Sequence, residues 1–148
     1  MQSIFNPTTK QQLIKRINSL TPQTVAQWGK MNVAQMINHC MLADKMMQGE
    51  LKIKRVLIGK LFGRFILKQV LKDEAPLRKN SPTSPHLQTT AESADIEKQK
   101  QEWINSIGLY NEQDTRGIDH PFFGPMTGEQ VAMLAYKHAD HHLRQFGV

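Results

Sequence analysis

With 148 residues, 39% of them apolar, the chain has the size and composition of one folded domain (residues 1–148), and wholesale disorder is excluded. No uncharged apolar run of about 18 residues occurs, the MQSIFNPTT start does not resemble a secretory signal, and the single Cys40 excludes an internal disulfide, so we expect a cytoplasmic protein without transmembrane segments. The net charge of +6 is local, because residues 52–72 carry seven basic residues and no acidic residue while the other residues sum to −1.

Two helices are predicted in the first third of the chain. The first begins at Asn6-Pro7, an N-cap followed by a proline that suits the first helical position, and it ends at Thr21-Pro22. The second begins at Asn32, where Gln35 is placed to complete a capping box. Its apolar stripe comprises Val33, Met36, Ile37, Cys40 and Met47.

A long insertion follows the second helix. Residues 54–71 are predicted to form an additional amphipathic helix, and the segment APLRKNSPTSPHLQTT an irregular connection. The inserted helix bears a basic stripe with a spacing of four, formed by Lys60, Arg64, Lys68 and Lys72. Such a helix can lie on an anionic membrane or bind nucleic acid. We expect instead that its apolar face packs on the protein and that no nucleic acid binds.

Gly59 and Gly63 fall within the apolar face of this inserted helix, which predicts close approach to another helix. That helix could belong to a second subunit, so a homodimer stays open.

Two further helices complete the chain. One is predicted from about Ser93 to Ile107 and ends at Gly108. The other begins at Thr127, where Thr-x-x-Gln gives a capping box, and continues to Gln145 before a glycine stop. The DHPFFGPM segment before it is apolar and is expected to pack over other residues. No periodic strand pattern occurs, so the fold class is all-α.

The last helix carries three of the six histidines. Each residue advances about 100° around a helix, so His138 and His142 lie roughly 40° apart and continue the apolar stripe of Val131, Leu134 and Ala135. The same angles place His141 at the flank of this stripe and Asp140 on the solvent side.

Two inward imidazoles one turn apart need partners, because an unpaired buried polar group costs on the order of 1–3 kcal/mol. A His-x-x-x-His pair on one face is a familiar two-ligand clamp for a metal, whereas the alternative is a pair of partly exposed side chains bonded to backbone or water. His39 on the second helix would complete a set of three ligands with an open fourth position. Three nitrogen ligands suit zinc, and nickel, iron, copper and manganese remain open.

The other candidates have simpler interpretations. We expect Cys40 to be a small buried hydrophobic residue, His86 to be exposed, and His120 to meet water or enter a pocket. Gln35 and Gln145 could orient the ligating imidazoles through their second ring nitrogens. Trp103 is a core or pocket-wall residue, as is Trp28; Met36, Phe122 and Phe123 are further pocket-wall candidates.

The stretches WGKMNVAQMINHC, HPFFGPMT and YKHADHHLRQFG resemble a bacterial branch of the DinB/YfiT-like superfamily of metalloenzymes, over essentially the whole chain. The resemblance implies a four-helix bundle with a long connection between its second and third helices. It also implies a metal held by His39, His138 and His142. Related proteins transfer or rearrange groups on small molecules with low-molecular-weight thiols such as bacillithiol or mycothiol.

The chain departs from its relatives at one position: Leu143 stands where many of them have arginine after the final histidine, although Gln145 keeps its spacing. The metal assignment does not depend on that position, but the substrate does. We therefore interpret the chain as a metal-dependent transferase, or a hydrolase if the ion activates water. The alternatives are a metal-binding protein without turnover and an interaction module that uses the helix at residues 54–71.

Overall fold

The computed structural model describes residues 1–82, 84–87, 95–112 and 116–148. This part of the chain is mostly helical, with α1 (Pro7–Asn18), α2 (Val33–Met47), α3 (Leu57–Val70), α4 (Ile96–Gly108) and α5 (Gly128–Gln145). A single 3-10 turn covers Pro85–Leu87, and two short strands, β1 (Ile118–His120) and β2 (Gly124–Met126), precede α5.

The mostly helical structure agrees with the all-α prediction, and the two short strands are an addition that the sequence did not indicate. β1 and β2 form an antiparallel hairpin in which Ile118 pairs with Met126 and His120 with Gly124. Each strand has only three residues, which is too short for a period of two to be visible in the sequence. Gly124 has φ 77°, a conformation that glycine adopts readily and that suits the tight return of the chain.

The predicted helix starts are confirmed where a side chain caps the backbone. Asn6 accepts hydrogen bonds from the N–H groups of Thr8 and Thr9, and reciprocal capping boxes form at the starts of α2 and α5. α4 begins with Asp95 as its N-cap, and the start predicted at Ser93 lies outside the described residues. α1 ends at Asn18, before the predicted Thr21-Pro22 stop, because Ser19 already closes the last turn.

The core lies between α1, α2, α4 and α5. α2 contacts α4 and α5, and α1 contacts the same two helices. The predicted α2 stripe is buried, with Met36, Ile37 and Cys40 at 1% exposure or less. The largest fully buried side chain is Trp103 of α4, and Leu13 and Ile17 contribute from α1. Two of these core helices, α2 and α5, carry His39, His138 and His142.

α3 does not pack as predicted. Gly59 and Gly63 approach the backbone of the β1–β2 turn instead of another helix, because a Cβ on either glycine would lie within 2.4 Å of the Phe122 carbonyl oxygen. The expected packing of the wide apolar face is also wrong: only Gly59, Gly63 and Leu67 are buried, and five large apolar side chains of α3 are exposed. The DHPFFGPM segment does pack over other residues, and α3 is its partner.

Asp140 corrects the prediction from helical angles. Its side chain was expected in solvent, yet it is 8% exposed and pairs with Arg16 of α1 and Arg144 of α5, at 2.7 Å each. Arg16 also donates to the carbonyl oxygens of Asp140 and Val148. The reason is that α1 covers this side of α5, so α5 is enclosed on more than one face. Among the described residues, none of the helices combines the length and apolarity that a membrane crossing needs.

Candidate metal centre

Three histidines from two helices meet at one point. α2 presents His39, and α5 presents His138 and His142 one turn apart, as the helical angles predicted. One ligand atom from each ring lies within 4.8 Å of the other two. The Nε2 atoms of His39 and His138 are 3.1 Å apart, and the ring centroids are separated by 4.7 to 5.0 Å. We call these three residues the histidine triad.

Two of the rings are held by their outer nitrogens. The Nδ1–H of His39 donates to the carbonyl oxygen of Leu87 at 2.9 Å, and the Nδ1–H of His142 donates to Oε1 of Gln145 at 2.8 Å. A proton on Nδ1 leaves the Nε2 lone pair of a neutral imidazole free. These two hydrogen bonds therefore fix the tautomer in which the inward nitrogen is a ligand atom.

Gln145 is itself held in place. Its side-chain amide donates from Nε2 to the carbonyl oxygen of Trp28 at 2.8 Å. Gly29 makes room for this contact, because a Cβ there would lie 2.6 Å from the Gln145 Nε2 atom, and its φ of 81° also favours glycine. The sequence signal for this support was the Trp-Gly pair in the loop before α2, which the sequence analysis did not interpret.

The electrostatic environment keeps the triad neutral. Burial, and then the neighbouring His39 ring, lower the pKa of His142 to about 3, although the hydrogen bond to Gln145 acts in the opposite direction. Burial also lowers the pKa of His39, while the hydrogen bond to Leu87 acts in the opposite direction. For His138, burial and then the two other triad rings lower the pKa well below its usual range. Neutral imidazoles are the form that binds a metal ion.

The three rings are close enough that they could hold an ion. Nitrogen ligands about 2.0–2.1 Å from a tetrahedral ion lie roughly 3.3–3.4 Å apart. The Nε2 atoms of His39 and His138 are 3.1 Å apart, which is also a hydrogen-bond distance, and all three ligand atoms lie within 4.8 Å of one another. His39 and His142 are buried, and His138 is partly buried as a whole residue. Two surface cavities of the described residues lie elsewhere, one beside Tyr136 and Glu74 and the other beside Met47 and Ile118.

His141 and His120 lie close to the triad without belonging to it. His141 packs its ring edge against His142 and Trp28, with centroids 5.1 and 5.9 Å apart, and burial lowers its pKa. The Nδ1 atom of His120 accepts hydrogen bonds from the N–H groups of Phe122 and Phe123, and burial lowers the pKa of His120 to about 4. His120 is thus a structural part of the β1–β2 turn, where the sequence left its role open.

Gln35 does not have the predicted orienting role. Its Oε1 atom accepts from the Asn32 N–H at 3.0 Å in the capping box, while the outer nitrogen of His39 bonds to Leu87. The two glutamines therefore have different roles. Gln35 completes the capping box of α2, and Gln145 supports the His142 ring. His86 is exposed, as expected, and Cys40 is buried, with burial raising the pKa of its thiol.

Trp103 is a fully buried core residue. Its indole N–H donates to Asp44 Oδ2 at 3.1 Å, and the Tyr110 hydroxyl donates to Asp44 Oδ1 at 2.8 Å. Burial raises the pKa of Asp44 to about 7, although both hydrogen bonds lower it. This buried polar cluster was not predicted, and its signal in the sequence is an acid three residues before the apolar Met47.

Fold and site together define a mostly helical protein whose buried histidine cluster could hold a metal ion. A family model described as "Protein of unknown function (DUF1569)" matches residues 5–147, and the chain belongs to this family. No curated protein matches the chain. No solved structure matches it either.

Proposed function

We propose that this chain is a DinB-like four-helix-bundle protein that binds one divalent metal ion through His39, His138 and His142. In this proposal α1, α2, α4 and α5 are the four bundle helices and α3 is the insertion. The observation that carries the proposal is the pair of Nδ1 hydrogen bonds to Leu87 and Gln145, which leave two Nε2 atoms directed at a common point. Without an ion, the inward Nε2 atoms of His39 and His142 both need a hydrogen-bond donor. A neutral His138 has a single N–H group and can serve only one of them.

Zinc is the preferred ion, because three imidazole nitrogens and an open position are typical of zinc sites in enzymes, and nickel or another transition metal is the alternative. A bound ion would supply a Lewis-acid centre that lowers the pKa of a thiol or water. The residues of the chain contribute orientation and exclusion of water. His39 and His142 are buried, at 4% and 6% exposure, so an ion held there would be shielded from bulk water.

The reaction we propose is transfer to or from a small molecule that uses a low-molecular-weight thiol. Its support is the resemblance of the chain to the DinB/YfiT-like superfamily, in which characterised members use such thiols, together with the three-histidine cluster. Hydrolysis is the alternative reaction, in which the ion would activate water instead of a thiol. No arrangement of serine, cysteine and carboxylate at the triad offers a metal-free nucleophile within the described residues, since the nearby Cys40 is buried with a raised pKa.

A metal-binding protein without turnover is the second candidate. It is favoured by the burial of His39 and His142, which leaves little exposed surface at the triad. An enzyme needs space for a substrate beside the ion, whereas a sensor or a structural site does not. Both candidate functions use the same bound ion. They differ in whether the fourth coordination position of the ion is open to a substrate, and an experiment can test that difference.

The first experiment is metal analysis by mass spectrometry on protein purified without an affinity tag. We expect about one equivalent of zinc or another divalent ion in the parent and after incubation of metal-free protein with zinc. The His138→Ala, His142→Ala variant should retain little. The matched control is His86→Ala, an exposed histidine outside the triad, which should bind as the parent does. No metal in the parent after incubation with zinc or nickel would refute the site.

The second experiment separates enzyme from binding protein. Protein loaded with cobalt is titrated with 2-mercaptoethanol as a probe thiol and followed by absorption. A new near-ultraviolet band that saturates with thiol would support an open position and the transferase proposal. An unchanged spectrum at saturating thiol would favour the protein without turnover, and it would leave the metal site itself intact.

A further inference from the structure

The outward side of α3 is apolar. Leu57, Ile58, Leu61, Phe62 and Phe65 are between 54% and 79% exposed, and we call them the outer face of α3. At about 100° per residue these five side chains cover an arc of roughly 140° on one side of the helix. Soluble monomers rarely expose contiguous apolar surface of this kind without a binding role. The outer face therefore requires a partner.

α3 cannot rotate to bury this face on its own chain. Its other side is fixed by Gly59 and Gly63 against the Phe122 backbone, where a Cβ would collide. The Val56 N–H donates to the Pro121 carbonyl oxygen at 3.0 Å, and Lys137 of α5 donates to the Val70 carbonyl oxygen at 2.8 Å. Both ends of α3 are thus tied to the protein, and the outer face is held toward solvent.

The charge around the outer face is of one sign. Residues 51–72 contain seven basic side chains and no acidic one. Lys60 and Arg64 lie beside one edge of the outer face, Lys68 lies just inside that edge, and all three are exposed. An apolar helix face bordered by basic side chains is complementary to the surface of a bilayer, where apolar acyl chains lie beneath anionic headgroups.

A second copy of the chain fits this face poorly. Lys68 lies at an angle of about 20° from Leu57, between Leu57 and Leu61, and so it stands within the outer face itself. A copy packed on the outer face would bury this ammonium group and bring the two basic stripes together. In a bilayer interface the lysine stem can remain among acyl chains while its charge reaches the headgroups.

From these observations we propose that α3 is a peripheral membrane-binding helix that inserts its outer face into the surface of a bilayer containing anionic phospholipid. The helix lies in the plane of the interface with Lys60, Arg64 and Lys68 among the phosphates. It has only 14 residues, which include two glycines and the three basic residues Lys60, Arg64 and Lys68, so it lies on the bilayer and does not cross it. The proposal does not depend on the metal site.

The experiment is cosedimentation of the full chain with vesicles of phosphatidylglycerol and phosphatidylcholine in equal parts, compared with pure phosphatidylcholine. We expect binding to the anionic vesicles that weakens in 0.5 M salt, and little binding to the neutral ones. Lys60→Gln with Lys68→Gln should weaken binding about 30-fold, since each cation near the surface contributes about fivefold. Leu61→Ser with Phe65→Ser should weaken it about tenfold per side chain.

Matched controls carry the same chemical changes elsewhere. Val25→Ser with Leu109→Ser removes two exposed apolar side chains, and Lys15→Gln with Lys98→Gln removes two exposed lysines. Both control proteins should bind vesicles within about twofold of the parent if α3 carries the binding. All eight positions are exposed, so far-ultraviolet circular dichroism should be unchanged in every variant.

Three results would overturn the proposal. The first is no cosedimentation with anionic vesicles at low salt. The second is a dimer in analytical ultracentrifugation that Leu61→Ser with Phe65→Ser dissociates, which would assign the outer face to a second copy. The third is tighter binding of single-stranded DNA than of anionic vesicles through the same residues, which would assign it to nucleic acid.

Discussion

Replacing Gln145 by alanine tests whether a hydrogen bond behind the triad sets its affinity for metal. The Gln145 side chain is 3% exposed and joins His142 Nδ1 to the Trp28 carbonyl oxygen, at 2.8 Å on each side. Alanine removes both bonds, so the His142 ring loses its fixed tautomer and orientation. Loss of such a supporting partner weakens metal binding about 10- to 100-fold, or roughly 1.4–2.7 kcal/mol.

The stability of the metal-free protein should fall as well. The substitution leaves one buried N–H and one carbonyl oxygen without their partner, and unsatisfied buried groups cost about 1–3 kcal/mol each when water does not replace the bond. We expect a loss of about 2 kcal/mol in the free energy of unfolding, measured with denaturant.

Gln35→Ala is the matched control. It removes the same side chain from a capping box, where the Asn32 side chain still caps the helix, so a loss of about 0.5–1 kcal/mol in stability is expected. Its zinc affinity should stay within about twofold of the parent value. The assay is competition of each protein with a chromogenic chelator for zinc. Equal affinities of Gln145→Ala and the parent, or equal weakening by Gln35→Ala, would refute the reasoning.

Two further substitutions test the packing of α3 and the buried acid. Gly63→Ala places a Cβ 2.0 Å from the Phe122 carbonyl oxygen and should lower the free energy of unfolding by about 1–3 kcal/mol. The control is Gly108→Ala, whose Cβ would have nothing within 4 Å and should raise the free energy of unfolding by up to about 1 kcal/mol. Equal effects of the two substitutions in chemical denaturation would contradict this prediction. Asp44 has a folded pKa of about 7, above its unfolded value, so the folded state binds more protons and the parent loses stability as pH rises from about 4 through 7. Asp44→Asn should remove this loss, and parallel stability curves for both proteins from pH 4 to 8 would argue against an ionising buried carboxyl.

Much of the fold was predictable because its signals are local. Asn6, Asn32 and Thr127 cap helices through bonds that span three residues or fewer, so the sequence alone identifies them. The placement of His138 and His142 on one inward face follows from helix geometry in the same way.

What could not be predicted depends on contacts distant in sequence. Leu87 supports His39 from 48 residues away, through a backbone oxygen that carries no sequence signal. Asp140 is buried by α1, which lies 124 residues earlier at Arg16, and helical angles within α5 contain no information about that neighbour. The predicted packing of α3 was wrong for the same reason. Its two glycines pack against the β1–β2 turn, which the sequence did not reveal.

Gln35 shows a different limit. Its spacing suited two roles at once, the capping box and support of His39, and sequence spacing cannot choose between them. The carbonyl oxygen of Leu87 already occupies the outer nitrogen of His39. The capping role is therefore the one that the geometry leaves to Gln35.

The separation of the triad residues along the chain bears on the order of events during synthesis. His39 and His138 are 99 residues apart, so the ribosome must deliver α5 before the three imidazoles can meet. A nascent chain that contains only α2 has a single histidine of the triad and cannot chelate an ion. Metal would therefore be acquired by an already collapsed chain, and once bound it would close a loop of about a hundred residues and resist separation of α2 from α5.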